Sequence, residues 1–304
     1  MEADPETDTQ AIAAAVASAV AEIGLRVDEP AVLRAGANLV LHLRPHPVVA
    51  RVATLTAEMR RNPADYLRRE RDIATALHQS GVGVITPTDL VDPGPHHADG
   101  HWFLLMTHRR LEPVDLASDA EASAVGRSLA DLEAALDELP VELGAGDVGQ
   151  PWDEIATLMA TVEATTGPTA TGRLVDAVEA LKATEPDDRL RLVHGDARRV
   201  NVARSRGHLV WFDFEDANSR PVAWDLATLR RSWPAAGDEA CRRLHIDPSA
   251  FSMAWHHELR EVYALLWNLL YAERDPRVRT ATGERLAAWL TRTELDELIA
   301  RTDR

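Results

Sequence analysis

Two short polar segments in the second half of the sequence contain the residue types that phosphoryl transfer requires. Asp196 lies three residues after the apolar pair Leu192-Val193. Asn201 lies five residues after Asp196, and Asp213 lies seventeen residues after it. Phosphoryl transfer needs a carboxylate beside the acceptor hydroxyl and oxygen ligands for the magnesium ion that neutralises the phosphates. The pattern therefore predicts that Asp196 orients the hydroxyl as a base and that Asn201 and Asp213 bind magnesium.

The sequence around these residues resembles the aminoglycoside phosphotransferase and choline kinase family, the small-molecule relatives of protein kinases. The resemblance rests on His194-Gly195-Asp196 with Asn201, and on Asp213-Phe214-Glu215. It implies a phosphotransferase that uses ATP or GTP together with Mg²⁺. It further implies that Arg198 contacts the transferring phosphate, as a catalytic residue, and that Glu215 reaches a second metal or supports the loop. A solvated loop charge is the alternative for Arg198.

Two further residues are expected to position the segment 194–201, called the catalytic loop below. His194 would brace it through hydrogen bonds without contacting substrate. Asp225 matches a family position that anchors this loop from the start of the next helix, although an aspartate there is also an ordinary N-cap. Both roles are structural.

The first third of the chain contains the residues expected to bind the nucleotide phosphates. Gly36-Ala37-Asn38 lies where the resemblance places the phosphate-covering loop, although the G-x-G-x-x-G pattern is missing. Arg51 stands where the resemblance expects the phosphate-gripping lysine. The only lysine, Lys182, lies in a helical stretch far along the chain and cannot take this role. Arg51 keeps the charge, but a guanidinium fork is wider than an ammonium. The sequence has no Walker A motif, which disfavours the P-loop kinases.

Glu70 and the strand that ends at Thr107 complete the predicted nucleotide site. Glu70 falls on the apolar stripe of its helix, so we expect it to pair with Arg51; the alternative is a surface pair with a neighbouring arginine. The segment 102–109 resembles the adenine-binding hinge, in which backbone groups pair with the base and Met106 lines the purine pocket. The predicted nucleotide-binding residues are Asn38, Arg51, Glu70, Met106, Thr107 and Arg109.

The acceptor site is less well specified by the sequence. Six of the eight tryptophans follow residue 210, and the family places the acceptor between the catalytic loop and the late helices. We therefore expect Trp267, Glu258 and Glu261 to contact the substrate, although packing in a helical core is the commoner role of any single tryptophan. An aminoglycoside-like or other antibiotic, or an amino sugar, would be typical of the resemblance. A kinase for choline, homoserine or a sugar, and a nucleotide-binding pseudokinase, are the alternatives.

Composition limits the range of partners. The formal net charge of −16 argues against nucleic acid, whose phosphates favour basic surfaces. An acidic cleft would favour a cationic acceptor, although the same charge also serves solubility alone. No apolar run approaches the roughly 20 residues of a membrane span, and the acidic N-terminus resembles neither a signal nor a transit peptide. With Cys241 as the only cysteine, we expect a cytoplasmic protein without intrachain disulfides or membrane partners. Its oligomeric state stays open.

The elements that must position these residues form a strand-rich first third and a helical remainder. Strands are predicted at 31–35, 39–43, 48–55, 82–85, 90–91 and 102–107. Helices are predicted at 9–23, 62–79, 118–139, 152–165 and 174–183, with three more after Ala223. This order favours a two-lobed, protein-kinase-like α+β fold. A nucleotide-binding N-lobe would span 1–108, and a helical C-lobe with the catalytic loop and substrate site would span 109–304.

Overall fold

The computed structural model describes residues 5–143 and 151–292. Within them, a five-stranded antiparallel sheet forms the core of the N-lobe, and helices dominate the C-lobe. The predicted two-lobed, protein-kinase-like α+β fold is therefore confirmed. The sheet ends at Thr107 and the next helix starts at Asp119, so the boundary at His108 stays a prediction. Residues 1–4, 144–150 and 293–304 of the predicted lobes lie outside the described residues.

The N-lobe sheet has the strand order β1-β2-β3-β5-β4. Its strands are β1 (Glu29–Ala35), β2 (Asn38–Arg44), β3 (Val48–Ala53), β4 (His96–Ala98) and β5 (His101–Thr107). Successive side chains of a strand point to opposite faces of the sheet. Val48, Ala50 and Val52 therefore pack in one buried cluster with helix α1 (Pro5–Glu22), and Arg51 projects from the other face.

That other face is covered by helix α3 (Pro63–Gln79). Leu67, Ile73 and Leu77 of α3 are buried in the same cluster as Leu104 of β5. Glu70 lies on this inner stripe of the helix and is 1% exposed. The packing of α3 on the sheet therefore places the Glu70 carboxylate opposite Arg51.

The C-lobe brings the two polar segments together through short strands. Its helices are α4 (Asp119–Asp137), α5 (Pro151–Thr166), α6 (Pro168–Ala183), α7 (Ala223–Ser232), α8 (Pro234–Arg243), α9 (Phe251–Arg274) and α10 (Pro276–Leu290). Two antiparallel pairs join β6 (Arg191–Val193) to β9 (Asn218–Arg220) and β7 (Val202–Ser205) to β8 (His208–Trp211). The catalytic loop connects β6 to β7, and Asp213 follows β8. No helix among the described residues is both long and apolar enough to cross a membrane.

Several predicted strands are wrong. β3 ends at Ala53, because the chain turns at Thr54 and continues as the short helix α2 (Leu55–Met59). The segment 82–85 forms only an isolated parallel bridge between Val84 and Trp211, and 90–91 is not a strand. Strand β4 was not predicted, although its hairpin turn Asp99-Gly100 has the positive φ angles, 46° and 81°, that a type I′ turn requires.

The helical region after Ala223 is divided more finely than predicted. The described residues contain four helices there, α7 to α10, instead of three. Pro234 separates α7 from α8, and Pro276 separates α9 from α10. Proline has no N–H to continue a preceding helix and fits at the first position of the next one.

Candidate active site

The catalytic loop is held at Gly195 by contacts that only glycine permits. Gly195 has a φ of 85°, and a Cβ at this position would lie 1.9 Å from the carbonyl oxygen of Asp216. Its carbonyl accepts a hydrogen bond from Trp224 Nε1 at 2.7 Å. Asp225, fully buried at the start of α7, accepts hydrogen bonds from the N–H groups of Gly195 (3.2 Å) and Ala197 (3.5 Å). The predicted anchoring of the loop by Asp225 is therefore present.

His194 joins the catalytic loop to the segment that carries Asp213. Its Nδ1 lies 3.4 Å from the N–H of Asp196 and accepts from it. The ring hydrogen is therefore assigned to Nε2, which lies 3.1 Å from the carbonyl oxygen of Phe212 and donates to it. The ring is fully buried, as expected for a residue that braces the loop.

Asp196 is buried and bonded to two arginines. Arg198 Nε donates to its Oδ2 at 2.8 Å, and Arg260 Nη2 donates to its Oδ1 at 2.9 Å. Burial alone would raise the pKa of Asp196, but the attraction of Arg198 and Arg260 outweighs burial and holds this pKa well below its usual value. Asp196 is therefore a carboxylate at any physiological pH, suited to accept a hydrogen bond from a hydroxyl.

Asn201 and Asp213 offer suitable oxygen atoms for magnesium. Asn201 Nδ2 donates to Asp196 Oδ2 at 2.9 Å, while Asn201 Oδ1 is buried without a hydrogen-bond partner among the described residues. Asp213 has a φ of 73°, a left-handed conformation that is rare for a non-glycine residue and is found at functional sites. The described residues contain no group of three or more His, Cys, Asp or Glu side chains arranged as a metal site. A magnesium ion that takes one or two protein ligands plus phosphate oxygens fits this pair.

Arg51 forms the predicted ion pair with Glu70 and two further ion pairs. Its Nη1 contacts Glu70 Oε2, and its Nη2 lies 2.5 Å from Asp213 Oδ1 and 2.8 Å from Glu215 Oε2. Burial would lower the pKa of Arg51, but the three carboxylates outweigh it and raise this pKa. Burial also raises the pKa of Glu70, against the opposing attraction of Arg51. Arg51 thus stays charged and links α3 to the candidate metal site.

Glu215 connects the Gly36-Ala37-Asn38 loop to the C-lobe. Its Oε1 accepts from Asn38 Nδ2 at 2.9 Å, and its Oε2 lies 3.1 Å from Arg60 Nη1. Asn38 Oδ1 in turn accepts a hydrogen bond from Thr56 Oγ1 at 2.7 Å. The nitrogen and the oxygen of the Asn38 side-chain amide are therefore both hydrogen-bonded within the protein. These contacts position the loop, and the contact of Glu215 with a second metal stays a prediction.

A cavity of about 640 Å³ lies between the lobes. Seven of the predicted site residues line it: Asn38, Arg51, Asp196, Arg198, Asp213, Glu215 and Trp267. The expectation of an acidic cleft is wrong, because the described lining contains eight arginines and only five aspartate or glutamate residues. The negative charge of the chain lies elsewhere.

The predicted hinge residues do not reach this cavity. Within the described part of the chain, Met106, Thr107 and Arg109 are absent from its lining; Met106 is buried in the core. The N–H of Thr107 donates to Thr86 O and that of His108 to Pro47 O, both at 2.8 Å. The purine base of a nucleotide at the hinge would therefore have to form its hydrogen bonds with other backbone groups. The placement of the purine at the hinge stays a prediction.

Two residues that were predicted to contact the acceptor form ion pairs with neighbouring arginines and do not line the cavity. Glu258 pairs with Arg292 at 2.5 Å. Glu261 lies 2.9 Å from Arg285 and 3.8 Å from Arg231. Among the described lining residues neither glutamate is present. Glu261 therefore acts on the cavity through the two arginines that do line it.

Sequence reasoning missed six of the eight arginines in the described lining, and four of these six form ion pairs. Arg60 bonds Glu215 and Asp216, and Arg260 bonds Asp196. Arg231 and Arg285 line the cavity from α7 and α10. One of the four had a usable signal, because Arg260 precedes the singled-out Trp267 by seven residues and so shares its helix face. The positions of the other three depend on how separate elements pack.

Comparisons with known proteins show the family and the fold of this chain. The family model described as "Phosphotransferase enzyme family" matches residues 38–259. The structure of amicoumacin kinase hAmiN with AMP-PNP, Ca²⁺ and Ami superimposes with a TM-score of 0.66 at 16% identity, covering 92% of this chain and 93% of that one. A GDP complex of an aminoglycoside 2'-phosphotransferase-IIIa variant gives 0.65 at 17% identity, with 92% and 96% covered.

A choline/ethanolamine kinase family protein from Mesorhizobium loti gives a TM-score of 0.62 at 17% identity, covering 97% of this chain and 99% of that one. No curated sequence matches this chain significantly. Identities this low establish a shared fold, and the family model establishes the relationship. The chain belongs to the phosphotransferase enzyme family.

Proposed function

We propose that this protein is a nucleotide- and magnesium-dependent O-phosphotransferase that acts on a hydroxyl group of a small molecule. One observation carries the proposal: the ionised Asp196 faces an open cavity and is bonded to Asn201, whose buried Oδ1 has no partner among the described residues. Asp213 lines the same cavity. A base, an amide oxygen and a second carboxylate are the set that phosphoryl transfer needs.

Asp196 would accept a hydrogen bond from the acceptor hydroxyl and align its oxygen with the phosphorus. Because its pKa is held low by Arg198 and Arg260 against burial, Asp196 is a weak base. It would take up the proton only as the new bond forms, which is sufficient for a loose transition state. Its main contribution is therefore orientation.

Asn201 Oδ1 and the Asp213 carboxylate would hold Mg²⁺, which neutralises phosphate charge when bound. Arg51 would move from Asp213 and Glu215 to the nucleotide phosphates while keeping its contact with Glu70. Arg198 lies beside Asp196 and is the cation best placed to contact the transferring group. ATP and GTP are both compatible with these contacts, because all of them concern phosphates.

The solved relatives support testing one acceptor class first. Solved neighbours are described as complexes with hygromycin B and with kanamycin, so antibiotics, other natural products and amino sugars are the first class to test. Choline, homoserine and free sugars form the second class. A nucleotide-binding pseudokinase is the alternative from a different functional class, because Arg51 occupies both Asp213 and Glu215 in this structure.

The test is a coupled nucleotide-turnover screen with ATP and GTP across both acceptor classes, with and without Mg²⁺. The proposal expects magnesium-dependent turnover with at least one acceptor, a phosphorylated product by mass spectrometry, and loss of both in Asp196→Asn. Magnesium-dependent nucleotide binding without turnover of any acceptor would favour the pseudokinase.

A further inference from the structure

The C-lobe wall of the cavity is unusually rich in arginine. Arg231 comes from the end of α7, Arg260 from the middle of α9 and Arg285 from α10, and all three line the cavity. Arg198 lines it beside them. Three separate helices thus converge on one region with the same charge.

The carboxylates around these arginines are too few to neutralise them. Arg260 bonds Asp196. Arg231 and Arg285 share the single carboxylate of Glu261, at 3.8 Å and 2.9 Å. The Nε atoms of Arg231 and Arg260 are buried without a hydrogen-bond partner among the described residues. Unsatisfied buried donors are costly, so these guanidinium groups are incompletely compensated by the carboxylates around them.

The charge balance around Arg231 supports the same conclusion. Burial, followed by the repulsion of Arg260, lowers the pKa of Arg231 to about 10, and Glu261 offsets only part of this shift. Asp275, the remaining acidic lining residue on this side, is paired with Arg277 at 2.8 Å. This part of the cavity therefore has fewer carboxylates than arginines.

The residues expected to bind the nucleotide form a separate group of ion pairs. Arg51 pairs with Glu70, Asp213 and Glu215, whereas Arg231 and Arg285 pair with Glu261. These two groups of ion pairs have no residue in common. The nucleotide phosphates are therefore expected at the Arg51 group, with the α7–α10 arginines beyond the reacting group, where the acceptor lies.

We infer that the acceptor carries an anionic oxygen group, a carboxylate or a phosphate or sulfate ester, which binds to Arg231 and Arg285 beside Arg260. This inference rests on the proposed function and narrows its substrate class. Guanidinium groups bind such groups through paired, charge-assisted hydrogen bonds. Trp267 and Tyr271 line the same wall and supply a flat surface for the body of the acceptor.

The test is a thermal-shift titration of the full chain in the presence of Mg²⁺ and AMP-PNP, so that the nucleotide phosphates occupy their own site. Sodium sulfate and sodium malonate, both dianions, are titrated against sodium chloride at equal ionic strength. Arg231→Gln and Arg285→Gln remove the proposed contacts one at a time. Arg274→Gln, at the far end of α9 and paired with Glu58, is the control.

We expect saturable stabilisation of the parent and of Arg274→Gln by at least one dianion. Each of the other two variants should bind it about 10- to 100-fold more weakly, the range for losing one charge-assisted hydrogen bond. Sulfate alone would indicate a phosphate or sulfate ester, and malonate alone a carboxylate. Absence of saturable stabilisation, or equal affinity in the parent, Arg231→Gln and Arg285→Gln, would overturn the inference.

The turnover screen separates this inference from the proposed function. Anion binding without turnover of any acceptor would remove the proposed function and leave the anion subsite in place. Phosphorylation of a cationic or neutral acceptor, with a KM that is unchanged in Arg285→Gln, would support the proposed function and remove the anion subsite.

Discussion

Arg51 and Asp213 form an ion pair of 2.5 Å across the cleft between the lobes. The cation expected to bind the nucleotide phosphates thus lies on the carboxylate expected to bind magnesium. Under the proposed function, a magnesium–nucleotide complex would replace this contact with two others, one between phosphate and Arg51 and one between Mg²⁺ and Asp213. The ion pair keeps both charges neutralised within a buried site until the ligand supplies the replacements.

Glu70 should determine how readily Arg51 leaves Asp213. In Glu70→Ala, Arg51 keeps only its contacts with Asp213 and Glu215, so it is poorly placed for the phosphates. We expect the KM for the magnesium–nucleotide complex to rise about 10-fold or more, the effect of one charge-assisted hydrogen bond. Steady-state kinetics alongside melting temperatures measure this, with the exposed Glu58→Ala as the ion-pair control. An unchanged KM in Glu70→Ala would assign Glu70 to folding alone.

Substitutions of Arg51 should lower nucleotide turnover to different degrees. Arg51→Lys keeps a positive charge beside Glu70 but loses the fork that reaches three carboxylates, so we expect reduced but measurable turnover. Arg51→Met should lose nucleotide turnover almost completely. Equal turnover in the two variants would contradict a role for the charge.

The magnesium affinity should depend on pH through Asp213. Burial raises the pKa of Asp213, and Arg51 offsets only part of this rise. Because Mg²⁺ binds the carboxylate and not the acid, the apparent magnesium affinity should fall as the pH falls through this raised pKa. In Asp213→Asn the apparent magnesium affinity should be weak, and it should not change with the ionisation of residue 213. Calorimetric titrations over a pH series compare the two proteins, and the titration of ATP itself is common to both. Parallel pH curves would remove Asp213 from the metal site.

Gly195→Ala should destabilise the catalytic loop beyond the cost of its positive φ. Gly207 has a similar φ of 83° but open space around its Cβ position, so Gly207→Ala measures the conformational cost alone, about 1–2 kcal/mol. Gly195→Ala adds a clash with Asp216 O and should cost several kcal/mol in urea unfolding. Equal losses of stability in the two variants would show that the loop can move aside.

Arg260 should set the acid limb of the activity profile. Arg198 and Arg260 lower the pKa of Asp196 against the effect of burial, so Arg260→Met should raise it. Since Asp196 must be ionised, the acid limb of kcat should then move to higher pH. Arg220 stacks on the same Trp224 ring as Arg260, at 4.5 Å and 4.6 Å, so Arg220→Met controls for lost stacking. An acid limb that stays in place in Arg260→Met would exclude this role.

Local patterns were sufficient to predict much of this molecule. The alternation along β3 and the apolar stripe of α3 determine which way Arg51 and Glu70 point, and their contact follows. The roles of His194 and Asp225 in holding the loop also followed from motif positions. These features depend on residues near one another in sequence or on one pair of packed elements.

The positive charge of the C-lobe wall of the cavity could not be predicted in the same way. The chain carries a net charge of −16, yet Arg231, Arg260 and Arg285 line one cavity, because α7 and α10 both pack against α9. A net charge averages over the whole surface and contains no information on which helix faces converge. The same limitation hid Arg60, whose partners Glu215 and Asp216 lie more than 150 residues away in the chain.

The central claim is that Asp196 orients the hydroxyl that receives the phosphoryl group. The most direct measurement is the turnover of Asp196→Asn with magnesium–ATP and an acceptor identified in the screen, together with its calorimetric nucleotide affinity. We predict a kcat lower by about 100- to 10,000-fold, the usual contribution of such a base, with nucleotide affinity nearly unchanged. Near-normal turnover in Asp196→Asn would contradict the claim.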